Sequence, residues 1–222
     1  DDFICVSQGL KEVIEKISGK NDVRVISNMI SPEFVYKPRV EKDVFVFFSL
    51  GSLIPRKGFK ELIVAFAEEF QNEERVVLRI GGAGCEEKRL RKLIAALGAQ
   101  NKVQLIGQLT REKTISEFEY CDSFVLASKA ETYGLVYREA LAIGRPIIST
   151  KHGGFGNDWN ESYGLLIDID DLDQLRKALR KVYDNYNSFD GASISATCLA
   201  GCSATSVGKQ ISDSLVNCCK KF

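Results

Sequence analysis

Val44-Phe45-Val46-Phe47-Phe48 is an unbroken apolar run, followed at once by Ser49-Leu50-Gly51-Ser52-Leu53-Ile54-Pro55-Arg56-Lys57-Gly58. Consecutive β-branched and aromatic residues with no polar alternation read as a strand buried on both faces, the pattern of a parallel sheet. The glycine-containing loop then gives way to helical periodicity over 59–70. There Leu62, Phe66 and Phe70 recur at i, i+4 and i+8, and Ile63 widens the stripe. Strand, loop and amphipathic helix make one βα unit, and the same unit recurs on either side. Strands are predicted over 3–6, 23–26, 44–48, 76–80, 103–106, 123–126, 146–149 and 165–167. Helices are predicted over 10–17, 59–70, 86–97, 112–120, 135–142 and 172–183, with Thr110 as an N-cap. The alternation specifies a doubly wound parallel α/β sheet of Rossmann-like type.

Two regions break the rhythm. Residues 28–43, with Pro32 and Pro38, read as a connector. Beyond Asn185 the chain turns to Ser, Ala, Thr and Gly, while Val207, Ile211 and Leu215 keep helical spacing and predict one or two closing helices. Lys plus Arg equals Asp plus Glu at 30 each, which excludes the basic footprint of a nucleic-acid binder. No apolar run approaches the roughly 20 residues of a membrane span. The chain starts with Asp-Asp-Phe and shows no signal-peptide layout, which reads as a trimmed start. Its seven cysteines, Cys5, Cys85, Cys121, Cys198, Cys202, Cys218 and Cys219, form no disulfide framework, and the lone His152 leaves no metal-ligand spacing. Ordinary thiols and a reducing, cytoplasmic setting are the expectation.

In an open α/β sheet, ligands bind beyond the carboxyl ends of the strands. Residues 49–58 supply Gly51, which lets backbone approach a ligand, a helix start, and Lys57, a compact charge suited to a diphosphate. A solvated basic loop fits these residues as well. Gly81-Gly82-Ala83-Gly84 is half a dinucleotide fingerprint without its third glycine or a following acid. It reads as a tight turn admitting a nucleobase. The sharpest stretch is Glu131-Thr132-Tyr133-Gly134-Leu135-Val136-Tyr137-Arg138-Glu139. The amides of Tyr133, Gly134 and Leu135 fall at a helix start, where they can donate to phosphate. Glu139 inside the helix can accept from a ribose diol, and Glu131 before it from a sugar. From spacing alone, Glu131 as a helix cap and Glu139 as a complement to the helix dipole fit equally.

With its two acids eight residues apart, the segment resembles the signature of the family-four glycosyltransferases, the glycosyl transferases group 1, which are retaining enzymes of the two-lobed GT-B type. Further blocks similar to that family follow in order: 49–58, 80–84, 103–109, 150–154 and 164–171. Together they carry the resemblance over roughly residues 4 to 183. The resemblance implies that Lys57 neutralises the donor diphosphate, Glu139 grips the ribose and Glu131 meets the transferred sugar. Amides near Gly134 and Leu135 would hold phosphates, and Leu109 would line the base pocket. It implies a nucleotide-diphosphate sugar as substrate, no cofactor, no donor-site metal, and a saccharide or lipid-linked acceptor. A role in cell-surface polysaccharide synthesis follows, with peripheral membrane association of the whole enzyme left open.

Residues 1–20 resemble the end of the acceptor lobe, and 21–222 the donor lobe. The rest of the acceptor lobe is therefore expected before residue 1. Two positions depart from the family. Ser52 follows Gly51 where an arginine is usual, so either Arg56 supplies the second charge or the donor is held less tightly. Phe155-Gly156-Asn157 replaces an acid-bearing segment, and His152 reads as a structural loop residue. The alternatives carried forward are a non-catalytic nucleotide-sugar scaffold and a dinucleotide oxidoreductase.

Overall fold

The computed structural model describes residues 3–19, 21–155 and 158–219. In chain order its strands and α-helices are β1 (Phe3–Cys5), α1 (Gln8–Ser18), β2 (Val23–Val25), β3 (Phe45–Leu50), α2 (Phe59–Glu69), β4 (Val76–Gly81), α3 (Glu87–Ala96), β5 (Val103–Gly107), α4 (Arg111–Tyr120), β6 (Ser123–Leu126), α5 (Leu135–Ile143), β7 (Ile147–Thr150), β8 (Gly164–Ile167), α6 (Leu172–Asp184), α7 (Gly191–Cys202) and α8 (Ala204–Cys219). Six strands form one parallel sheet in the order β5-β4-β3-β6-β7-β8, the doubly wound architecture expected.

Strand β3 runs two residues past its apolar run because Ser49 and Leu50 pair with Ile80 and Gly81 of β4. Its side chains feed both faces of the sheet. Phe47 meets Phe66 and Phe70 of the α2 side, with ring centroids 6.1 and 5.9 Å away. Phe48 turns to the other face and meets Phe118 of α4 at 5.2 Å, edge to face. Each such ring pair adds about 0.5–1.5 kcal/mol beyond area burial. The predicted stripe of Leu62, Ile63, Phe66 and Phe70 is buried as a whole. At the amino edge of the sheet, buried Asp122 accepts the Val46 N–H and pairs with Arg39 and Lys42. Arg145, also buried, donates to the carbonyls of Lys37, Pro38, Phe118 and Glu119. These two charged groups fasten the connector of residues 28–43 to the core.

Strand β2 pairs in parallel with β1, Val23 opposite Phe3, and lies outside the main sheet. The small sheet thus draws strands from both sides of residue 20. The tail forms α7 and α8, but the apolar spacing in α8 is buried only at Val207. Ile211 and Leu215 are exposed. Ser214 turns inward instead, and its hydroxyl accepts from Arg24 Nη1 at 2.8 Å, so this end of α8 meets β2 through polar groups. Cys218 and Cys219 have side chains outside the described residues, as are Gly156 and Asn157. The other five cysteines are free thiols.

Candidate functional site

The chain builds the sheet outward from β3 through β4 to β5, then returns to lay β6, β7 and β8 on the opposite side. The connections after β3 and β6 therefore leave neighbouring strands in opposite directions and open a crevice at the carboxyl edge. Residues 51–58 follow β3, with a 3-10 turn at Pro55–Lys57. Gly58 ends that turn at φ 69° and caps α2. A Cβ there would stand 2.0 Å from the Ala127 carbonyl oxygen, so only glycine lets this loop lie against the one after β6. Among the described residues, four hydrogen bonds then join the loops: Lys129 N–H to the Arg56 carbonyl at 2.8 Å, Ser128 Oγ to the same carbonyl at 3.3 Å, Arg56 Nη1 to the Ala130 carbonyl at 2.8 Å, and Lys57 Nζ to Glu131 Oε1 at 2.5 Å. The last joins two charged, half-buried groups, the stronger kind of hydrogen bond.

The glycines after β4 hold this turn against the loop after β3. Gly82, at φ 132°, would place a Cβ 1.9 Å from the Gly51 carbonyl oxygen, and Gly84 one 2.4 Å from that of Leu53. Leu53 N–H donates to the Ala83 carbonyl at 2.9 Å. These glycines let the loops after β3 and β4 approach each other backbone to backbone. A Cβ on Gly81 would meet Leu109 Cδ1 at 2.8 Å, so the absence of a side chain there is what admits Leu109. Leu109 is half-buried against this glycine.

Helix α5 begins at Gly134, φ 75°, and no side chain caps it. Glu131 bonds Lys57 instead, which removes the capping alternative, and the first-turn N–H groups are left for an anion or water. Tyr133 offers only its backbone to this edge. Its buried side chain turns away, with the hydroxyl donating to the Asn28 carbonyl at 3.2 Å. Ser52, Arg56 and Leu135 are exposed, and the Arg56 guanidinium is held at Ala130.

Glu139 lies in the second turn of α5 and is 9% exposed. Burial pushes its carboxyl up to about 7, with the Arg111 charge pulling weakly the other way. No hydrogen bond to it exists among the described residues, so two acceptor oxygens sit in a nearly dry position.

His152 is buried, and its Nδ1 accepts the Gly154 N–H at 3.0 Å. Its proton therefore sits on Nε2, which lies 3.1 Å from Ser149 Oγ. Burial draws its pKa down to about 4. Two contacts carried no signal in the sequence. Ser7 Oγ donates to the Thr132 carbonyl at 2.5 Å, and a Cβ on Gly9 would meet the Gly153 carbonyl oxygen at 2.6 Å. The start of α1 thus rests on both loops that flank α5. Among the described residues, no cluster of three or more His, Cys, Asp or Glu is arranged around a metal position.

The sequence profile of the glycosyl transferases group 1 matches residues 31–192. The chain belongs to this family. Its relatives include the lipopolysaccharide core biosynthesis glycosyltransferase LpsE of Rhizobium meliloti, 31% identical over 82% of this chain and 54% of that protein. The chain spans about half the length of the curated relatives it matches. Among solved structures, sucrose-phosphate synthase from Thermosynechococcus elongatus superposes with a TM-score of 0.87 at 21% identity, over 100% of this chain and 59% of that one. Anabaena HepE in complex with UDP and glucose gives 0.83 at 21% identity, over 96% and 62%. These likenesses place the fold within the GT-B architecture. Family membership also removes the dinucleotide-oxidoreductase alternative. Among the described residues, no helix is long and apolar enough to cross a membrane.

Proposed function

We propose that this chain is the donor-binding part of a retaining glycosyltransferase that takes a nucleotide-diphosphate sugar. One observation carries the reading: at the crevice where the strand order reverses, Lys57 and Glu131 are joined at 2.5 Å beside the uncapped start of the helix that buries Glu139. Lys57 transfers its hydrogen bond from Glu131 to the donor diphosphate, and the α5 amides near Gly134 and Leu135 add their dipole. Freed from the lysine, Glu131 accepts hydroxyls of the transferred sugar, and Glu139 accepts both ribose hydroxyls. Positioning and neutralisation of the departing diphosphate supply the catalysis, with charge from protein groups and no metal. Gly51 and Ser52 give the diphosphate a close backbone approach, Arg56 lends the second charge, and Leu109 flanks the base.

The names of LpsE and LpsD, both lipopolysaccharide core biosynthesis glycosyltransferases of Rhizobium meliloti, support a role in cell-surface polysaccharide synthesis. The acceptor in this reading is a saccharide or lipid-linked molecule and the setting is cytoplasmic. The separate β1–β2 sheet supports residues 1–20 as part of an acceptor lobe, with Val23–Val25 completing that sheet. Calorimetry with UDP, GDP and ADP and their sugars tests the reading. Binding of one nucleotide and its sugar, weakened in Lys57→Ala, is expected; no binding by any of the panel overturns it. Binding without sugar transfer by the protein carrying both lobes would favour the scaffold alternative.

A further inference from the structure

A cavity of about 440 Å³ lies among α1, α5, α7 and α8, lined by Gln8, Tyr133, Arg138, Asp158, Cys198 and Cys202 with several neutral neighbours. Of the residues assigned to the donor it contains only Tyr133, whose side chain faces away from the donor edge. Among the described residues Arg138 is its only cationic lining residue, and it is 4% exposed. The guanidinium is stacked on two rings, 4.0 Å from the Tyr133 centroid and 4.8 Å from that of Phe155. Its Nη2 reaches the Gly154 carbonyl and Asp158 Oδ2, both at 3.3 Å, and its buried Nε has no hydrogen-bond partner among the described residues. Among the described residues Asp158 is the only acid of the lining, and its side chain is 51% exposed. A guanidinium carries five donors, and burying it is costly unless they are matched. One carbonyl and one solvent-facing carboxylate at the long end of hydrogen-bond range leave this charge poorly matched.

We propose that this cavity binds a small oxyanion, a carboxylate or phosphate borne on a hydroxylated molecule, with Arg138 holding the anion. The rings fix the plane of the guanidinium, so its donor edge is presented rigidly to a forked acceptor. Gln8, Thr197 and Gln210 supply neutral donors and acceptors for hydroxyl groups on the same molecule. The volume falls within the roughly 300–1,000 Å³ of small-molecule sites and exceeds what a bare phosphate fills. The anion replaces Asp158 on Nη2, and the half-exposed Asp158 returns to water.

The site contains its own reporter. Cys198 and Cys202 line it with sulfurs 3.6 Å apart, and the hydrogen bond from Cys198 lowers the Cys202 thiol pKa while that of Cys198 is raised. Iodoacetamide labelling of Cys202, read by peptide mass on the whole protein, should slow roughly threefold or more once inorganic phosphate, glycerol phosphate or malonate exceeds a few times its dissociation constant. Chloride at equal ionic strength should give no protection. Phosphate and malonate separate the two anion types, and glycerol phosphate should protect at lower concentration than bare phosphate. Arg138→Leu should abolish protection. Asp158→Asn, which leaves the core untouched, should tighten anion binding by up to about fivefold by removing the competing carboxylate. Labelling unaffected by all three anions, or no tighter binding in Asp158→Asn, overturns the proposal.

Discussion

Lys57 Nζ stands 2.5 Å from Glu131 Oε1, joining the loop after β3 to the loop after β6 across 74 positions of sequence. The lysine best placed for a diphosphate is therefore already satisfied by the acid assigned to the sugar. On the proposed function, donor binding is an exchange of partners in which neither charge is left bare.

That exchange gives the two residues opposite signatures. Lys57→Ala should weaken binding of the nucleoside diphosphate by about 1–3 kcal/mol, the range for a lost charged hydrogen bond. Glu131→Gln should tighten the bare diphosphate roughly threefold or more, because the charged competitor for Lys57 becomes a neutral, weaker acceptor. The same variant should weaken the intact nucleotide sugar relative to the diphosphate. Calorimetry of both ligands against both variants measures this, and parallel losses in all four titrations contradict it.

Donor affinity should depend on pH through Glu139. Burial holds its carboxyl at about 7, so in the ligand-free protein it is largely protonated below neutrality. An ionised carboxylate accepts both ribose hydroxyls, whereas the acid form keeps one proton of its own. Affinity should then rise with pH and level off above about 7, with a limiting slope of about tenfold per pH unit on the acid side. Glu139→Gln should flatten the profile as well as lower it. A wild-type affinity constant from pH 5.5 to 8.5 argues against the ribose role.

Stability should show two opposed titrations. Glu139 binds its proton more tightly folded than unfolded, so its contribution is complete below about 4.5 and is lost as pH rises through about 7. His152, lowered to about 4, does the reverse: its contribution is complete above about 6.5 and is lost as pH falls toward 4. Between those limits the two nearly cancel. Glu139→Gln should therefore raise stability at pH 8 by roughly 2–3 kcal/mol and expose the acid-side loss due to His152. Urea unfolding of both proteins from pH 4.5 to 8 gives the test; an unchanged difference across that range rejects the pairing.

Gly58→Ala should be costly for two reasons. The residue sits at φ 69°, and its Cβ would press on the Ala127 carbonyl oxygen at 2.0 Å. Left-handed strain alone is worth about 1–2 kcal/mol, and parting the loops adds loss of the Arg56–Lys129 and Lys57–Glu131 bonds. A total of about 2–4 kcal/mol is expected in denaturant titration, together with weaker nucleotide binding. Wild-type stability in this variant would mean the two loops are not held as described.

Much of this protein was legible in its residue order. The apolar run from Val44 to Phe48 and the stripe of Leu62, Phe66 and Phe70 specify a buried strand and the helix covering it, because burial periodicity is a local property. The ordered blocks around Lys57, Glu131 and Glu139 pointed to the family whose profile matches residues 31–192. Spacing left open whether Glu131 caps a helix, and it did not show that the 82–84 turn packs against the loop after β3. Both points depend on which loop lies against which, a matter of sheet order. Lys57 and Glu131 meet only when β6 is laid beside β3, Gly82 presses on Gly51 only when β4 lies on the other side, and Ser7 reaches Thr132 only when the start of α1 docks on the loop after β6. The same holds for α8, whose apolar spacing promised a buried face that only Val207 provides, and for Arg138 with its two rings. A residue carries its own propensity and charge along the chain, but its partners are chosen by packing between segments distant in sequence, and no local pattern encodes that choice.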